Sequence, residues 1–375
     1  MNRFRRVLLT GAALALVAAV SPSYADNNSY DAKVLVADIP PAPHIDTHLV
    51  NPWGVAFNPQ GFVWVSDNGT GFATLYDGLG NPAPAANPLI VQIPAAPGST
   101  EHGKPTGIVF NGGGGFAVTS NGKTGNSAFI FATEDGLIAG WAPSVDMTHA
   151  IQAYPKAGDP LSDAVYKGLA IATSAVGNTI YAADFVGGKI DVFNSTFAKI
   201  DLAGNFTDPD LQKDFSPFNI QNFNGHLFVT YAVREEGEDD ETAGPSLGIV
   251  NEFDANGNFV RRFATRGRLN APWGIALAPA TFGVFANAML IGNFGDGAIN
   301  AYDAATGDFK GQLRGTDHRA LRLDGLWGMA FGNDLNSQPK STLFFAAGPD
   351  DETHGVYGSI TPAPNEKGNP KAGAD

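Results

Sequence analysis

The 375 residues are 43% hydrophobic and only 16% charged, contain no cysteine, and carry a formal charge of −14 with 46 glycines, 25 prolines and 26 phenylalanines. Disulfides, thiolate metal sites and cysteine nucleophiles are excluded, and so acidic a chain repels phosphate backbones and anionic lipid surfaces, which argues against nucleic acid as a partner. Frequent turn residues joining short aromatic runs point to strands in place of helices.

The chain opens on a basic stretch, MNRFRR, then the apolar VLLTGAALALVAAV and a small-residue site ending at Ala25. This is the pattern of an export signal, and its apolar part is shorter than the roughly 20 residues that a membrane-spanning helix needs. Residues 1–25 are therefore expected to be removed, taking Arg3, Arg5 and Arg6 with them and lowering the charge to −17. The mature protein is expected to be secreted or periplasmic, without a stable membrane anchor.

After an isolated strand-like segment, AKVLVADI (32–39), one phrase recurs: NPWGVAF near residue 51, APWGIAL near 271 and LWGMAF near 326. Aligning the glycine of that phrase gives Gly54, Gly107, Gly168, Gly274 and Gly328, with Asn219 in the fourth copy, at spacings of 53, 61, 51, 55 and 54 residues. A period of this size with four short strand-like runs per unit is the signature of propeller blades. Unit one reads WGVAFNP, FVWVSDN, ATLYDG, PLIVQIP; unit two is expected to read TGIVFNG, GFAVTSN, SAFIFAT, LIAGWAP. Asp and Gly in YDGLGNP, TEDGL, FDANGNF and YDAATGDF supply tight turns between third and fourth strands, with no further role assigned.

The sixth unit has only three strands, WGMAFG, TLFFAAG and GVYGSITP, and the unpaired segment 32–39 supplies the fourth, closing the ring and covering an otherwise open edge. The expected fold is all-β: one six-bladed β-propeller of four-stranded antiparallel blades over residues 30–362, followed by a disordered polar tail at 363–375.

In an up-and-down blade the loop leading into the first strand and the loop joining strands two and three share a face. The loops after strand two are SDNGTG, SNGKTGN, ADFVGG, AVREEGEDDETAGPS, GNFGDG and AGPDDETHG; those before strand one add Asn51, Glu101 with His102, Asp163, Asn270 and Asp324. One mouth thus gathers hard oxygen donors, which suit Ca²⁺ or another divalent cation. Candidate ligand-binding residues are Asn51, Asp67, Asn68, Asn293, Asp296, Asp350 and Asp351. His354, next to three acids in GPDDETHG, is a candidate proton donor or a surface histidine, and Asp184 is the second candidate catalytic group. The acidic run EEGEDDE (235–241) is either a calcium-ordered lid or a solvated loop. Trp53, Trp273 and Trp327, at one repeated strand position, are expected to pack between blades. No nucleophile elbow, Walker loop, zincin helix or dinucleotide fingerprint is present.

NPWGVAFNP, SPFNIQNF, APWGIALAP, GNFGDGAINAYD, GLWGMAFGN and AGPDDETHGVYGSI together resemble a family of exported six-bladed propellers of bacteria and fungi, some members of which carry a PEP-CTERM sorting tail. The final NEKGNPKAGAD has neither the apolar segment nor the basic end of such a tail. The family implies fold and export, and no particular activity. The repeats are also distantly similar to NHL-type propellers and to the streptogramin lyase and gluconolactonase groups, whose mouths hold a divalent cation or a catalytic histidine. That resemblance implies Asn51, Asp184, Asn219 and Asp324 as oxygen ligands of a metal. Three classes follow: a mouth that binds a small ligand, cation or protein; a metal-assisted hydrolase or lyase of the lactonase kind; and a structural protein of the matrix or cell envelope.

Overall fold

The computed structural model describes residues 28–156 and 158–364, so the leader expected at 1–25 and nearly all of the tail expected at 363–375 lie outside the described residues. The chain forms an all-β, six-bladed propeller. Blade 1 comprises Pro52–Phe57, Val63–Asp67, Phe72–Tyr76 and Ile90–Gln92, and blade 3 Tyr166–Ser174, Gly177–Asp184, Lys189–Asn194 and Lys199–Ile200. Blade 4 is built from Phe215–Phe223, His226–Arg234, Ile249–Asp254 and Phe259–Thr265, and blade 5 from Pro272–Leu277, Ala288–Asn293, Ile299–Asp303 and Phe309–Gln312. Blade 6 consists of Leu326–Phe331, Leu343–Ala347 and Val356–Pro362, completed by Tyr30–Ala37.

That completing strand runs antiparallel to Val356–Pro362, with Ala32 opposite Ile360, Lys33 opposite Ser359 and Val36 opposite Tyr357. Tyr30 and Val36 are fully buried there, and the Tyr30 hydroxyl donates to the Phe282 carbonyl of blade 5. The seam read from the sequence is therefore the seam of the ring.

Blade 2 departs from the expected frame. Its strands are Pro105–Phe110, Phe129–Thr133, Ile138–Trp141 and Ile151–Tyr154, while Ala117–Ser120 and Lys123–Asn126 form a separate hairpin between its first two strands. GFAVTSN is a strand, but alternation does not say which partner a strand takes. Here the partner is local, because Asn121 and Gly122 both adopt positive φ, 49° and 74°, and close a two-residue turn of the type that Asn-Gly favours. SNGKTGN is consequently the tip of that hairpin, and TEDGL is the loop between strands two and three. The correction moves Glu134 and Asp135 to the mouth.

The described residues bury seven apolar clusters, and their membership explains the architecture. One lies at each blade interface: Trp64, Phe129 and Phe131 belong to the cluster between blades 1 and 2, and Leu290, Leu343 and Ile360 to that between blades 5 and 6. The seventh joins Trp53, Phe185, Phe218, Trp273 and Trp327, residues of five blades that meet only on the ring axis. The indoles of Trp53 and Trp327 stack at 3.6 Å between centroids, and Trp273 meets both edge-on at 6.0 and 5.7 Å. These tryptophans do pack, but as an axial plug linking blades 1, 5 and 6.

The recurring glycine has a steric cause. A Cβ on Gly54 would lie 2.5 Å from the Thr106 carbonyl oxygen of blade 2, one on Gly107 2.3 Å from the Leu169 nitrogen of blade 3, and one on Gly328 2.3 Å from the Trp53 carbonyl oxygen of blade 1. Each first strand thus presses its backbone onto the next. Asn219, standing where the glycine is replaced, donates from Nδ2 to the Trp273 carbonyl at 2.8 Å and so spans the same gap with a side chain. Gly274→Ala, whose methyl would sit 2.6 Å from the Trp327 carbonyl oxygen, should cost about 2–3 kcal/mol. Chemical denaturation of the purified variant measures this, and unchanged stability would refute the close-packing account.

Candidate functional site

All six first strands carry a register irregularity at their mouth ends, between Pro52 and Val55 in blade 1, Tyr166 and Gly168 in blade 3, Pro272 and Gly274 in blade 5, and equivalently in the others. A bulge re-aims the side chain it carries. In blades 1, 5 and 6 that side chain is an axial tryptophan; in blade 3 it is Lys167.

Lys167 is 1% exposed, an unusual place for an ammonium unless it is paired. Its Nζ lies 2.7 Å from Asp240 Oδ1, 3.3 Å from Glu134 Oε1 and 3.7 Å from Glu241 Oε2, and 5.3 and 5.5 Å above the rings of Trp53 and Phe185. Its backbone carbonyl accepts the Trp273 indole N–H at 3.0 Å. Burial works against the charge, yet the acids outweigh it and hold the Lys167 pKa above the ordinary value. The acidic run of blade 4 supplies two of those carboxylates by folding back as Glu241–Thr242 onto Val233 and Arg234. In this structure the run converges on an ammonium.

Over Lys167 opens a pocket of about 460 Å³ lined by Lys104, Glu134, Asp135, Val165, Asp239, Asp240 and Glu352. Five carboxylates face one lysine and one valine. Asp135 Oδ2 is buried with no hydrogen-bond partner among the described residues, and burial raises the pKa of that carboxyl. Glu352 is likewise raised by burial, against the opposing hydrogen bond from Asn51. It is turned inward by three successive residues of positive φ, Asp350, Asp351 and Glu352 at 55°, 52° and 65°, a strained run of the sort found at functional sites. Burial, partly offset by Lys167, pushes Glu241 up to about 7.

The residues singled out in the sequence end up in different surroundings. Asn51 and Asn68 reach the pocket as supports: Asn51 Nδ2 donates to Glu352 at 2.5 Å while its Oδ1 accepts the Trp327 indole N–H, and Asn68 Nδ2 donates to Glu134 at 2.9 Å. Asp67 is fully buried in blade 1, neither carboxylate oxygen having a hydrogen-bond partner among the described residues, and burial lifts its pKa far above the usual carboxylate range. Asn293 donates to Asp296 at 2.9 Å and to the Arg268 carbonyl. Asp350 and Asp351 are exposed on the turn of blade 6. His354 sits beside the seam, its Nδ1 2.8 Å from Asp38 Oδ2; that carboxylate, more than the neighbouring acids of its own loop, raises its pKa. The Asn270 side chain accepts from the Gly244 N–H, and His102 Nδ1 lies 2.9 Å from the Gly103 carbonyl.

The four residues implied as metal ligands do not assemble. Asn51 and Asn219 are engaged as described, Asp184 accepts from the Gly187 N–H and pairs with Lys189, both at 2.8 Å, and Asp324 accepts from the Asp350 N–H at 3.1 Å. Among the described residues no group of three or more His, Asp or Glu side chains is arranged to hold a metal ion.

Lys167, Glu134 and Asp135 are the residues that sequence reading does not single out. Lys167 was detectable, since aligning Gly168 places it at the tryptophan position of the repeat, and Asn-Gly at 121–122 would have restored the frame of blade 2. Nothing in the sequence indicates that Glu241 is buried.

Two predictions concern this cluster. Removing the ammonium by Lys167→Met leaves Glu134, Asp240 and Glu241 facing one another and should cost about 3 kcal/mol, the lower end for a broken buried pair because Asp240 is largely exposed. For Glu241, a folded pKa of about 7 against an ordinary 4.5 means that the folded chain keeps a proton which the unfolded chain releases. Stability should therefore fall as pH rises through that window, and Glu241→Gln should flatten the decline. Melting temperatures of both proteins from pH 5 to pH 8 decide it; parallel curves would contradict the burial of this carboxyl.

No family model matches the sequence. The chain is 34% identical over 329 residues to an uncharacterised protein of Acanthamoeba polyphaga mimivirus, covering 85% of this chain and 82% of that one. It is 33% identical over 328 residues to a second uncharacterised mimivirus protein, covering 85% and 76%. Among solved structures it is similar to a glucose dehydrogenase, with a TM-score of 0.50 at 12% identity over 88% of this chain and 98% of that one. It is also similar to a streptogramin B lyase, with a TM-score of 0.43 at 13% identity over 88% and 97%. At 12% identity the likeness to the glucose dehydrogenase carries the propeller architecture and nothing of the chemistry. The two mimivirus proteins do more: at their identity and coverage, this six-bladed propeller belongs to the same family as they do.

Proposed function

We propose that the protein is an exported binding propeller whose mouth takes a small cationic ligand, either an organic amine or a divalent cation. The observation that carries this reading is the pocket lining, in which Glu134, Asp135, Asp239, Asp240 and Glu352 outnumber Lys104 in the lining and the Lys167 ammonium that pairs with two of them. The Lys167 ammonium, held among carboxylates with aromatic rings beside it, supports this reading as an internal example of a cation in such surroundings. Low-dielectric walls focus the negative potential of such a recess and attract cations from a distance. Asp135 Oδ2, buried and without a hydrogen-bond partner among the described residues, offers an acceptor to a donor or a metal ion. Export rests on the leader pattern at residues 1–25.

A second reading, a hydrolase or lyase at the same mouth, has one observation in its favour. Glu241, pushed up to about 7 beside Lys167, is poised for proton transfer near neutral pH. Turnover of a lactone panel with a pH profile inflecting near that value, lost in Glu241→Gln, would establish it.

The binding reading is tested by calorimetric titration of the mature protein with putrescine and, separately, with CaCl₂. Saturable binding of at least one is expected, weakening as salt rises from about 0.02 M to about 0.2 M. The double variant Asp135→Asn, Glu352→Gln should lose about tenfold in affinity. Absence of binding by both probes, or binding indifferent to the double variant, would remove the proposal.

A further inference from the structure

A second recess has the opposite charge. On the outer flank of blade 5, a pocket of about 620 Å³ is lined by Asn28, Arg268, Val284, Phe285, Phe309, Lys310, Gly311, Gln312, Arg314, His318 and Ala320. Among the described residues no acidic side chain lines it, in a protein whose full sequence carries a formal charge of −14. Four of its residues, Arg268, Lys310, Arg314 and His318, are cationic or can become so, and they come from three stretches: the loop leading into blade 5, the outermost strand Phe309–Gln312, and the connection onward to blade 6.

Three of these side chains, those of Arg268, Lys310 and His318, are not used up holding the fold. The side chains of Arg268 and His318 make no hydrogen bond or ion pair among the described residues, although the Arg268 backbone carbonyl anchors Asn293 and Asn300. Lys310 approaches Asp303 only at 3.8 Å, and that carboxylate is fixed in its own turn by the N–H groups of Ala305 and Thr306. The walls, by contrast, are built. Asn28 donates to the Gln312 carbonyl at 2.8 Å and accepts from the Arg314 N–H, and Gln312 Nε2 donates to Asn300 at 2.9 Å. Gly311 matters to the shape: its φ is +152°, and a Cβ there would lie 3.0 Å from the Phe285 ring, so the strand runs flat against that aromatic wall. Val284 and Phe309, 43% and 45% exposed, add apolar surface beside the charges.

We propose that this flank is an anion site for a small organic molecule bearing two or more carboxylate or phosphate groups. Its volume lies within the range of small-molecule pockets. Guanidinium groups recognise both kinds of oxyanion bidentately. The short apolar faces of Val284 and Phe309 suit the carbon frame that joins the acidic groups. The site is independent of the acidic mouth, selecting ligands of the opposite sign.

Calorimetric titration of the mature protein at low salt with citrate and, separately, with pyrophosphate tests the proposal. One saturable site is expected for at least one of them; binding of citrate alone assigns a carboxylate ligand, and binding of pyrophosphate alone assigns a phosphate ligand. Arg268→Gln combined with His318→Gln should weaken the binding at least tenfold, with melting temperature unchanged because both side chains are exposed. Lys310→Gln, alone, should weaken it several-fold and serves if the double variant fails to fold. Asp135→Asn, Glu352→Gln at the mouth should leave it intact. No saturable binding of either anion, or binding unaltered by the flank substitutions, overturns the proposal.

Discussion

The close approach of six first strands around one axis governs this molecule. At five of the six contacts the third residue of the recurring phrase has no side chain, and the backbone of the following blade occupies the space a methyl group would need. Interiors are packed like organic crystals, so a gap or an excess at that radius would be transmitted round the whole ring. Asn219 satisfies the constraint differently, reaching across to the carbonyl of Trp273. An oxygen-bearing side chain on the innermost strand was thus recruited to hold blades together, although its residue type suits metal ligation equally well.

The same geometry determines what can face the axis. Where the bulged position carries tryptophan, the ring centre is filled with stacked indoles; where it carries Lys167, a cation is buried in that aromatic wall. Loops rich in Glu and Asp from blades 2, 4 and 6 can then converge without prohibitive repulsion. Three carboxyls of the group still bear the cost of burial, visible in the raised pKa values of Asp135, Glu241 and Glu352. Chemistry at the mouth therefore depends on a residue that belongs to the packing pattern by position and departs from it by type.

Much of this was legible in the sequence. Periodicity gave the number of blades, the orphan segment at 32–39 gave the seam, and the alternation of loops gave a shared face, because all three follow from local pattern and counting. The frame of blade 2 was misassigned where two local signals competed: the alternating run GFAVTSN suggests a blade strand, whereas Asn121-Gly122 closes a hairpin on itself. The site was less legible. Asn51 and Asn68 were found, but as supports of Glu352 and Glu134, since residue type does not reveal which partner a side chain meets. His354 was expected to feel the acids of its own loop; the carboxylate at hydrogen-bonding distance is Asp38, from the far end of the chain.

The strand Tyr30–Ala37 and its partner Val356–Pro362 lie more than 300 residues apart in the chain, while every other strand of a blade finds its neighbours within the same repeat. Contacts of such separation form late, because the loop they close must first be organised. Five sheets can assemble from sequential hairpins during growth of the polypeptide, but the sixth must wait for both ends to be available together. Until then Val36, Leu49, Phe344 and Tyr357, all buried in the finished interface between blades 6 and 1, have nothing to cover them. The intact circle is in this respect its own quality control: a truncated copy at either end leaves a sticky, unsatisfied sheet edge for chaperones or proteases to find.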